Sequence, residues 1–245
     1  MKKSAGKQRI DLLLVERGLA ESRQKAQALI LAGSVVVNSQ KAEKPGQTVP
    51  ADAAIQLLDQ LPFVSRGGLK LDAALTGFGV VVTGRTCIDV GASTGGFTDC
   101  LLQRGAERVY AVDVGASQLD WKIRTDPRVV VKDHTNARHL TVNDIPEACS
   151  LAVCDVSFIS VTLIVPVLPP LLTPDGEMIV LVKPQFEVGR QDVGKGGIVR
   201  DPELHASACR KVQDTVESLG FRTALMDSPI QGAEGNREFL LHARR

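Results

Sequence analysis

Short strands and helical segments alternate along the sequence from residue 85 onward, and this alternation limits the possible folds more than any other feature. The strand-like stretches are rich in valine, leucine and isoleucine, and they are TCIDV, RVYAV, RVVVK, CSLAVC, GEMIVLV and REFLLHA. Such alternation predicts an α/β fold with a parallel, doubly wound sheet. Ligands of these sheets bind at the carboxyl ends of the strands.

The composition indicates a water-soluble globular protein. The 245 residues are 44% hydrophobic and 23% charged, which is enough apolar material for a proper core. The longest apolar run, residues 150–172, contains Asp155 and three prolines, which argues against a membrane-spanning helix. The basic N-terminal segment is not followed by an apolar stretch of the signal-peptide type. We therefore expect a cytoplasmic protein.

The cysteines indicate a reducing compartment. There are five of them, an odd number without a C-x-x-C pair, and Cys87 and Cys154 fall in predicted strands. We expect free, buried thiols and no metal site.

The first sixty residues form a small basic module. They contain nine Lys or Arg against six Asp or Glu, a net charge of +3, and the remainder carries −2. The pattern predicts two helices followed by strands, with Ser22 as an N-cap, Gly33 as a C-cap, a strand over 35–37 and a turn at Asn38-Ser39.

This module resembles the S4 RNA-binding domain, through R-x-D-x-x-L, G-L-x-x-S-R-x-x-A and L-I-x-x-G-x-V-x-V-N over residues 9 to 58. The resemblance implies a small α+β domain of the αL type that holds structured RNA. Basic side chains along a helix edge suit phosphate contacts, although the same edge could simply be solvated. The expected RNA contacts are Arg9, Arg23, Lys25, Lys41 and Arg66. We expect an S4-like domain over 1–60, a short linker over 61–66 and the α/β domain over 67–245.

The turn after the first predicted strand, DVGASTGGF, lacks the G-x-G-x-x-G of the dinucleotide fold. It resembles motif I of the Rossmann-like S-adenosylmethionine methyltransferases, whose glycines let the backbone approach the ligand closely. Asp113 at the next strand end can bind the ribose hydroxyls, and Asp133 at the third is placed to meet the adenine amino group. The expected cofactor-binding residues are Asp89, Gly91, Ala92, Ser93, Thr94, Gly95, Gly96, Phe97, Asp113 and Asp133.

Further charged residues fall at the same edge of the predicted sheet. Asp155 follows LAVC, Lys183 follows MIVLV, and Glu238 begins the last strand, which runs antiparallel in methyltransferase sheets. Lys70 lies on a predicted helix before the first strand, beside an apolar stripe. It can bury its stem and keep its ammonium in water, or it can belong to a site at this edge.

The order Lys70, Asp155, Lys183, Glu238 resembles the K-D-K-E tetrad of FtsJ-like ribose 2′-O-methyltransferases. With the S4-like module in front, the chain resembles the TlyA family over residues 9 to 245, through SRGGLKL, DVGASTGGFTD, CDVSFIS, VKPQFE and EGNREFL. The resemblance implies S-adenosyl-L-methionine as cofactor, and ribosomal RNA or ribosomal subunits as partner, methylated at a cytidine ribose. Lys183 would orient the 2′-hydroxyl or deprotonate it, and the sequence leaves both roles open.

The sequence is also compatible with other functions. An RNA base methyltransferase more often carries an N/D-P-P-Y/F motif where CDVSF stands here, and a catalytically silent RNA-binding protein could keep the same fold. A membrane-lytic hemolysin would need a spanning or a long amphipathic helix. The glycine-rich segment 187–205 could be a mobile loop over RNA or a plain connector.

Overall fold

The computed structural model describes residues 6–31, 34–42, 44–57, 62–232 and 235–245. The chain divides into two compact units, Met1–Leu61 and Pro62–Arg245. Residues 58–61 lie outside the described residues, so the exact domain limits stay a prediction.

The first unit combines two helices with short strands. Its elements are β1 (Lys7–Arg9), α1 (Ile10–Glu16), α2 (Arg23–Leu31), β2 (Val35–Val37), β3 (Gln40–Lys41), β4 (Thr48–Pro50) and β5 (Ile55–Leu57). Strand β1 pairs with β4, and β2 lies between β3 and β5. Ser22 accepts a hydrogen bond from the Lys25 backbone N–H, as an N-cap does, and the predicted turn at Asn38-Ser39 has both residues at positive φ. Gly33, the predicted C-cap, lies outside the described residues.

A buried carboxylate fastens the helices of this unit together. Asp11 on α1 is fully buried and accepts hydrogen bonds from the side chains of Arg9, Arg23 and Gln27. The hydrogen bond from Arg9 holds the pKa of Asp11 well below its usual range, although burial opposes it. A buried charge with three donors is satisfied in place, so the carboxylate stabilises the packing of α1 on α2.

The second unit contains the predicted α/β sheet. Its elements are α3 (Gly67–Phe78), β6 (Thr86–Val90), α4 (Gly96–Gln103), β7 (Arg108–Val112), α5 (Trp121–Arg124), β8 (Val129–Lys132), β9 (Cys149–Cys154), β10 (Leu172–Val182), α6 (Pro184–Glu187), α7 (Pro202–Ser218), β11 (Arg222–Asp227) and β12 (Phe239–Arg244). Short 3-10 turns, including Val161–Leu163, connect some of them.

The described residues of this unit form a seven-stranded sheet in the order β11-β12-β10-β9-β6-β7-β8. The strands from β10 to β8 are parallel to one another, while β12 pairs antiparallel with both β10 and β11. Alternate residues fill two cores. Ile88 and Val180 face Val212 of α7 on one side, and Ile179 faces Leu71 of α3 on the other. The predicted doubly wound fold is confirmed.

Strand β11 is absent from the sequence-based prediction. It lies at the sheet edge, and its residues RTALMD are half-buried or exposed throughout. An edge strand without an apolar face gives no alternation signal, so this region could not be recognised from the sequence.

All five cysteines are free and buried, as predicted. Burial raises the pKa of the Cys87, Cys100 and Cys149 thiols to about 12, which keeps them protonated and unreactive. Within the described ranges, no helix is long and apolar enough to cross a membrane.

Candidate active site

The four residues of the predicted tetrad line one cleft of about 490 Å³ at the carboxyl edge of the sheet. The topology explains why they meet. Asp155 follows β9 and Lys183 follows β10, two neighbouring parallel strands. Strand β12 runs the other way with Phe239 opposite Val182, so Glu238, one residue before it, comes beside Lys183. Lys70 reaches the cleft from helix α3.

Lys70 and Glu238 form a buried ion pair. Lys70 Nζ donates a hydrogen bond to Glu238 Oε2 at 2.5 Å, and the two side chains are only 10% and 3% exposed. A snorkelling lysine would leave its ammonium in water. This one gives up water for a carboxylate, so the sequence-based alternative of a solvated lysine is wrong for Lys70.

Lys183 makes the second pair of the cleft. Its Nζ lies 2.5 Å from Asp155 Oδ1 and donates a hydrogen bond to Ser157 Oγ at 2.7 Å. Two residues therefore hold the ammonium, Asp155 through the ion pair and Ser157, two positions further along the chain, through the hydrogen bond.

The glycine turn after β6 forms the floor of the cleft. Gly91 has φ +88°, and a Cβ there would lie 2.2 Å from the backbone oxygen of Asp155. Gly95 has φ +94°, and a Cβ would touch Leu119 and Ile123. Both positions need glycine because of backbone conformation and space. The residues of this turn that line the cleft are Gly91, Ala92, Ser93, Thr94, Gly96 and Phe97.

A second cavity, also of about 490 Å³, adjoins the cleft and shares Gly91, Ser93 and Asp155 with it. Asp113, directly after β7, lines this cavity. One of its oxygens accepts a hydrogen bond from the Ser93 N–H at 2.8 Å and the other from the Gly115 N–H at 2.7 Å. A carboxylate oxygen has further acceptor capacity, so Asp113 can still bind hydroxyl groups.

Three predicted cofactor-binding residues are not among the described residues that line these cavities, namely Asp89, Gly95 and Asp133. Asp89 is fully buried and accepts a hydrogen bond from Thr98 at 2.6 Å. Asp133 pairs with Arg124 at 2.5 Å, and that hydrogen bond lowers its pKa. Strand registers alone do not reveal such local partners, and the part of these three residues in cofactor binding stays a prediction.

Ser157 and Asn236 are among the polar residues of the cleft that sequence reasoning missed. Ser157 holds Lys183, and Asn236 is 2% exposed, with its side chain bonded to the Val199 N–H and the Gly197 carbonyl oxygen. Each lies two residues from a tetrad member, in CDVSF or in GNREF. The Asn236 bonds also tie the C-terminal part of segment 187–205 to the residues before β12.

The predicted RNA contacts fall into three groups. Arg66 is exposed and lines the cleft. Arg9 and Arg23 are half-exposed but bound to Asp11. Lys25 and Lys41 are exposed, and neither has an ion-pair partner within the part of the chain that the structure describes. The free lysines are thus better placed for phosphate contacts than the two arginines.

The sheet order and the cleft define the second unit as a Rossmann-like methyltransferase. Its sequence matches the FtsJ-like methyltransferase family over residues 63–245, and residues 8–55 match the S4 domain. The chain belongs to the TlyA family of FtsJ-like methyltransferases.

Relatives agree with this assignment over nearly the whole chain. The 16S/23S rRNA (cytidine-2′-O)-methyltransferase TlyA of Mycobacterium tuberculosis is 46% identical, over 98% of this chain and 91% of that protein. Hemolysin A of Brachyspira hyodysenteriae is 43% identical, over 96% and 98%. A solved structure of a hemolysin-named protein from Streptococcus thermophilus is 44% identical, covers 98% of this chain and 88% of its own, and superposes with a TM-score of 0.76.

Asp89 makes the stability of the second unit depend on pH. Burial raises its pKa to about 7, against the hydrogen bond from Thr98. A carboxyl whose pKa is higher in the folded than in the unfolded state contributes its full stabilisation of the fold below the unfolded pKa of about 4. This contribution is lost as the pH rises through the folded pKa of about 7. The free energy of unfolding of Asp89→Asn, relative to that of the wild type, should therefore be about 3 kcal/mol higher at about pH 8 than at about pH 5. Urea unfolding at both pH values measures this difference.

Asp175→Asn, at an exposed position, is the matched control and should show the same offset from wild type at both pH values. An equal offset for Asp89→Asn would contradict the assignment of a protonated, buried Asp89.

Proposed function

We propose that this protein transfers a methyl group from S-adenosyl-L-methionine to the ribose 2′-hydroxyl of a cytidine in ribosomal RNA. One observation supports this most strongly. Two lysine and two carboxylate side chains from four separate elements meet in one cleft, as two ion pairs beside the glycine turn. The TlyA relative is named for this reaction, and the S4 domain supports an RNA substrate.

The cofactor would occupy the two adjoining cavities. Asp113 would receive the ribose hydroxyls of the cofactor, because its two oxygens are already oriented by the Ser93 and Gly115 N–H groups. The backbone of the glycine turn and the start of α4 would face the methionine carboxylate. When bound, S-adenosyl-L-methionine supplies an electrophilic methyl group. Asp89 supports this turn through Thr98 on α4. We keep Asp133 as a prediction for the adenine side, where it is already paired with Arg124.

The chain's own task is to align the hydroxyl. A ribose 2′-hydroxyl is a weak nucleophile, and holding it in line can account for about 7–11 kcal/mol of the barrier. Lys183 would orient this oxygen by donating a hydrogen bond, since Asp155 and Ser157 fix its ammonium. Glu238, beside Lys183, holds Lys70 in the same cleft. In this arrangement both lysines donate hydrogen bonds to carboxylate or hydroxyl oxygens. Lys183 as a positioner accounts for the geometry better than Lys183 as a base, and the hydroxyl proton would then pass to water as the oxygen takes the methyl group.

The RNA would be held by positive charge on both units. Lys25 and Lys41 of the S4 domain are exposed and unpaired among the described residues, and Arg66 lines the cleft. Phosphate contacts of this kind give affinity that depends on salt, with little base reading. Ribosomes and their RNA lie in the cytoplasm, where we expect the protein to act. We retain the predicted domains, S4-like over 1–60 and methyltransferase over 67–245, as part of this proposal.

The cofactor assignment predicts a binding defect. Asp113→Ala should weaken S-adenosyl-L-methionine binding by about 1.5–3 kcal/mol, the range for a lost hydrogen bond to a charged group. Calorimetric titration of the folded variant measures the loss. Asp214→Ala, at an exposed position on α7, should bind as wild type. Wild-type affinity in Asp113→Ala would remove this residue from the cofactor site.

The lysines should act as one unit. Lys183→Ala should keep cofactor binding and lose about 10²–10⁴ in the methyl-transfer step. Lys70→Ala should also slow transfer, because its loss leaves Glu238 buried without its ion-pair partner. The double variant should be little slower than Lys183→Ala, since residues that act together lose most of their effect with the first removal. Single-turnover transfer of labelled methyl to a ribosomal RNA fragment measures all three rates.

Wild-type rates in Lys183→Ala would contradict the proposed function itself. Wild-type rates in Lys70→Ala would leave that residue with a packing role only, and the proposal would then rest on Lys183 and Asp155.

The RNA assignment predicts a change in salt dependence. Replacing both Lys25 and Lys41 by alanine should reduce the slope of log affinity against log salt by about one to two units. These lysines are preferred to Arg23, whose loss would also disturb the packing around Asp11. Filter binding at several salt concentrations measures the slope. Arg222→Ala, exposed on the edge strand β11, serves as the control, and an unchanged slope in the double lysine variant would exclude this contact.

A further inference from the structure

Glu187 is a buried carboxylate that the proposed chemistry does not use. It is the last residue of α6, and its side chain is 2% exposed. Its oxygens accept hydrogen bonds from Ser160 Oγ at 2.5 Å, from the Val161 N–H at 2.7 Å and from Lys211 Nζ at 3.2 Å. Burying a carboxylate is unfavourable unless several donors satisfy it, and here the donors come from two other chain segments.

The segments that Glu187 joins are those that carry the Lys183 pair. Helix α6 is a single turn with Lys183 as its N-cap and Glu187 at its end. The segment Asp155–Ser160 begins with the partners of Lys183 and ends with the partner of Glu187. Polar contacts therefore join the two segments at two points. One lies in the cleft, between Lys183 and Asp155 with Ser157, and the other lies outside the cleft lining, between Glu187 and Ser160 with Val161.

The loop between these links is strained. Phe158 has φ +65°, in the left-handed region that a non-glycine residue rarely adopts. It is also 92% exposed, so burial does not hold the backbone there, and its ring packs against Phe186 of α6 with 5.4 Å between the centroids. Such a conformation persists only where the surrounding structure fixes it. Here the residues on both sides of Phe158 are fixed, Ser157 by Lys183 and Ser160 by Glu187.

Lys211, on helix α7, binds Glu187 from a third chain segment. Its ammonium on α7 donates to Glu187 Oε2 and, at 2.8 Å, to the Glu187 carbonyl oxygen. It is 46% exposed, so it neutralises the carboxylate from the solvent side. Through this contact the long helix α7 fixes the end of α6.

We propose that Glu187 is a positioning residue for methyl transfer, which holds the Asp155–Ser160 loop so that Asp155 and Ser157 keep Lys183 aligned. This assignment rests on the proposed function, because Lys183 must matter for transfer. Glu187 does not line the cleft, so it acts through its neighbours and touches neither cofactor nor substrate.

The test is a double-variant cycle in the full-length protein. Glu187→Gln keeps the size of the side chain, but its amide cannot accept from Ser160, Val161 and Lys211 together. It should slow single-turnover transfer at saturating cofactor by about 10-fold to 100-fold, the scale of a small misplacement. Lys211→Met, at a half-exposed position, should slow transfer in the same direction and by less. Glu203→Gln, at an exposed position in the first turn of α7, should transfer at the wild-type rate.

The same Glu187→Gln change made in Lys183→Ala is the decisive measurement. If Glu187 acts through Lys183, its substitution should cause no further loss of the residual rate, because the group it aligns is already gone. If Glu187 is merely structural, its substitution would reduce the rate by the same factor in both backgrounds. That equal loss, or a wild-type rate in Glu187→Gln, would overturn the assignment while leaving the proposed function intact. If Lys183→Ala itself transfers at the wild-type rate, the proposed function fails and this assignment fails with it.

Discussion

Two lysine ammonium groups are removed from water at the carboxyl edge of the sheet, and each is held by a single carboxylate. An unpaired buried charge is strongly unfavourable, whereas a paired and hydrogen-bonded one is tolerated. The pairs Lys70–Glu238 and Lys183–Asp155 therefore require α3, β9, β10 and β12 to be in place together. The antiparallel strand β12 is the critical element, since its reversed direction brings Glu238 to the edge where the parallel strands end.

The supporting residues around these pairs follow the same requirement. Asn236 binds segment 187–205 at Gly197 and Val199, and Glu187, its first residue, binds Ser160 and Val161. Segment 187–205 is thus held by hydrogen bonds at its beginning and again at Gly197 and Val199. Catalytic groups on loops are positioned well only when the loops are fixed by such bonds.

The sequence was informative wherever chain position alone sets location. Asp155, Lys183 and Glu238 were placed correctly because the carboxyl ends of parallel strands meet at one edge, and the glycine turn was recognised from its spacing. It was uninformative about partners. Asp89 turns inward to Thr98, Arg23 binds Asp11, and Ser157 receives the Lys183 hydrogen bond, because these contacts depend on side-chain direction. The edge strand β11 gave no signal since neither of its faces is fully buried.

The central claim is that this cleft aligns a ribose hydroxyl. Purified protein, ribosomal RNA and S-adenosyl-L-methionine with a deuterated methyl group, followed by digestion to nucleosides and mass spectrometry, test it most directly. Fragmentation separates the sugar from the base, so the position of the label is read without ambiguity. We expect the deuterated methyl group on the ribose of cytidine. A label on the base of any nucleoside, or no incorporation by a folded protein that binds the cofactor, would contradict the account.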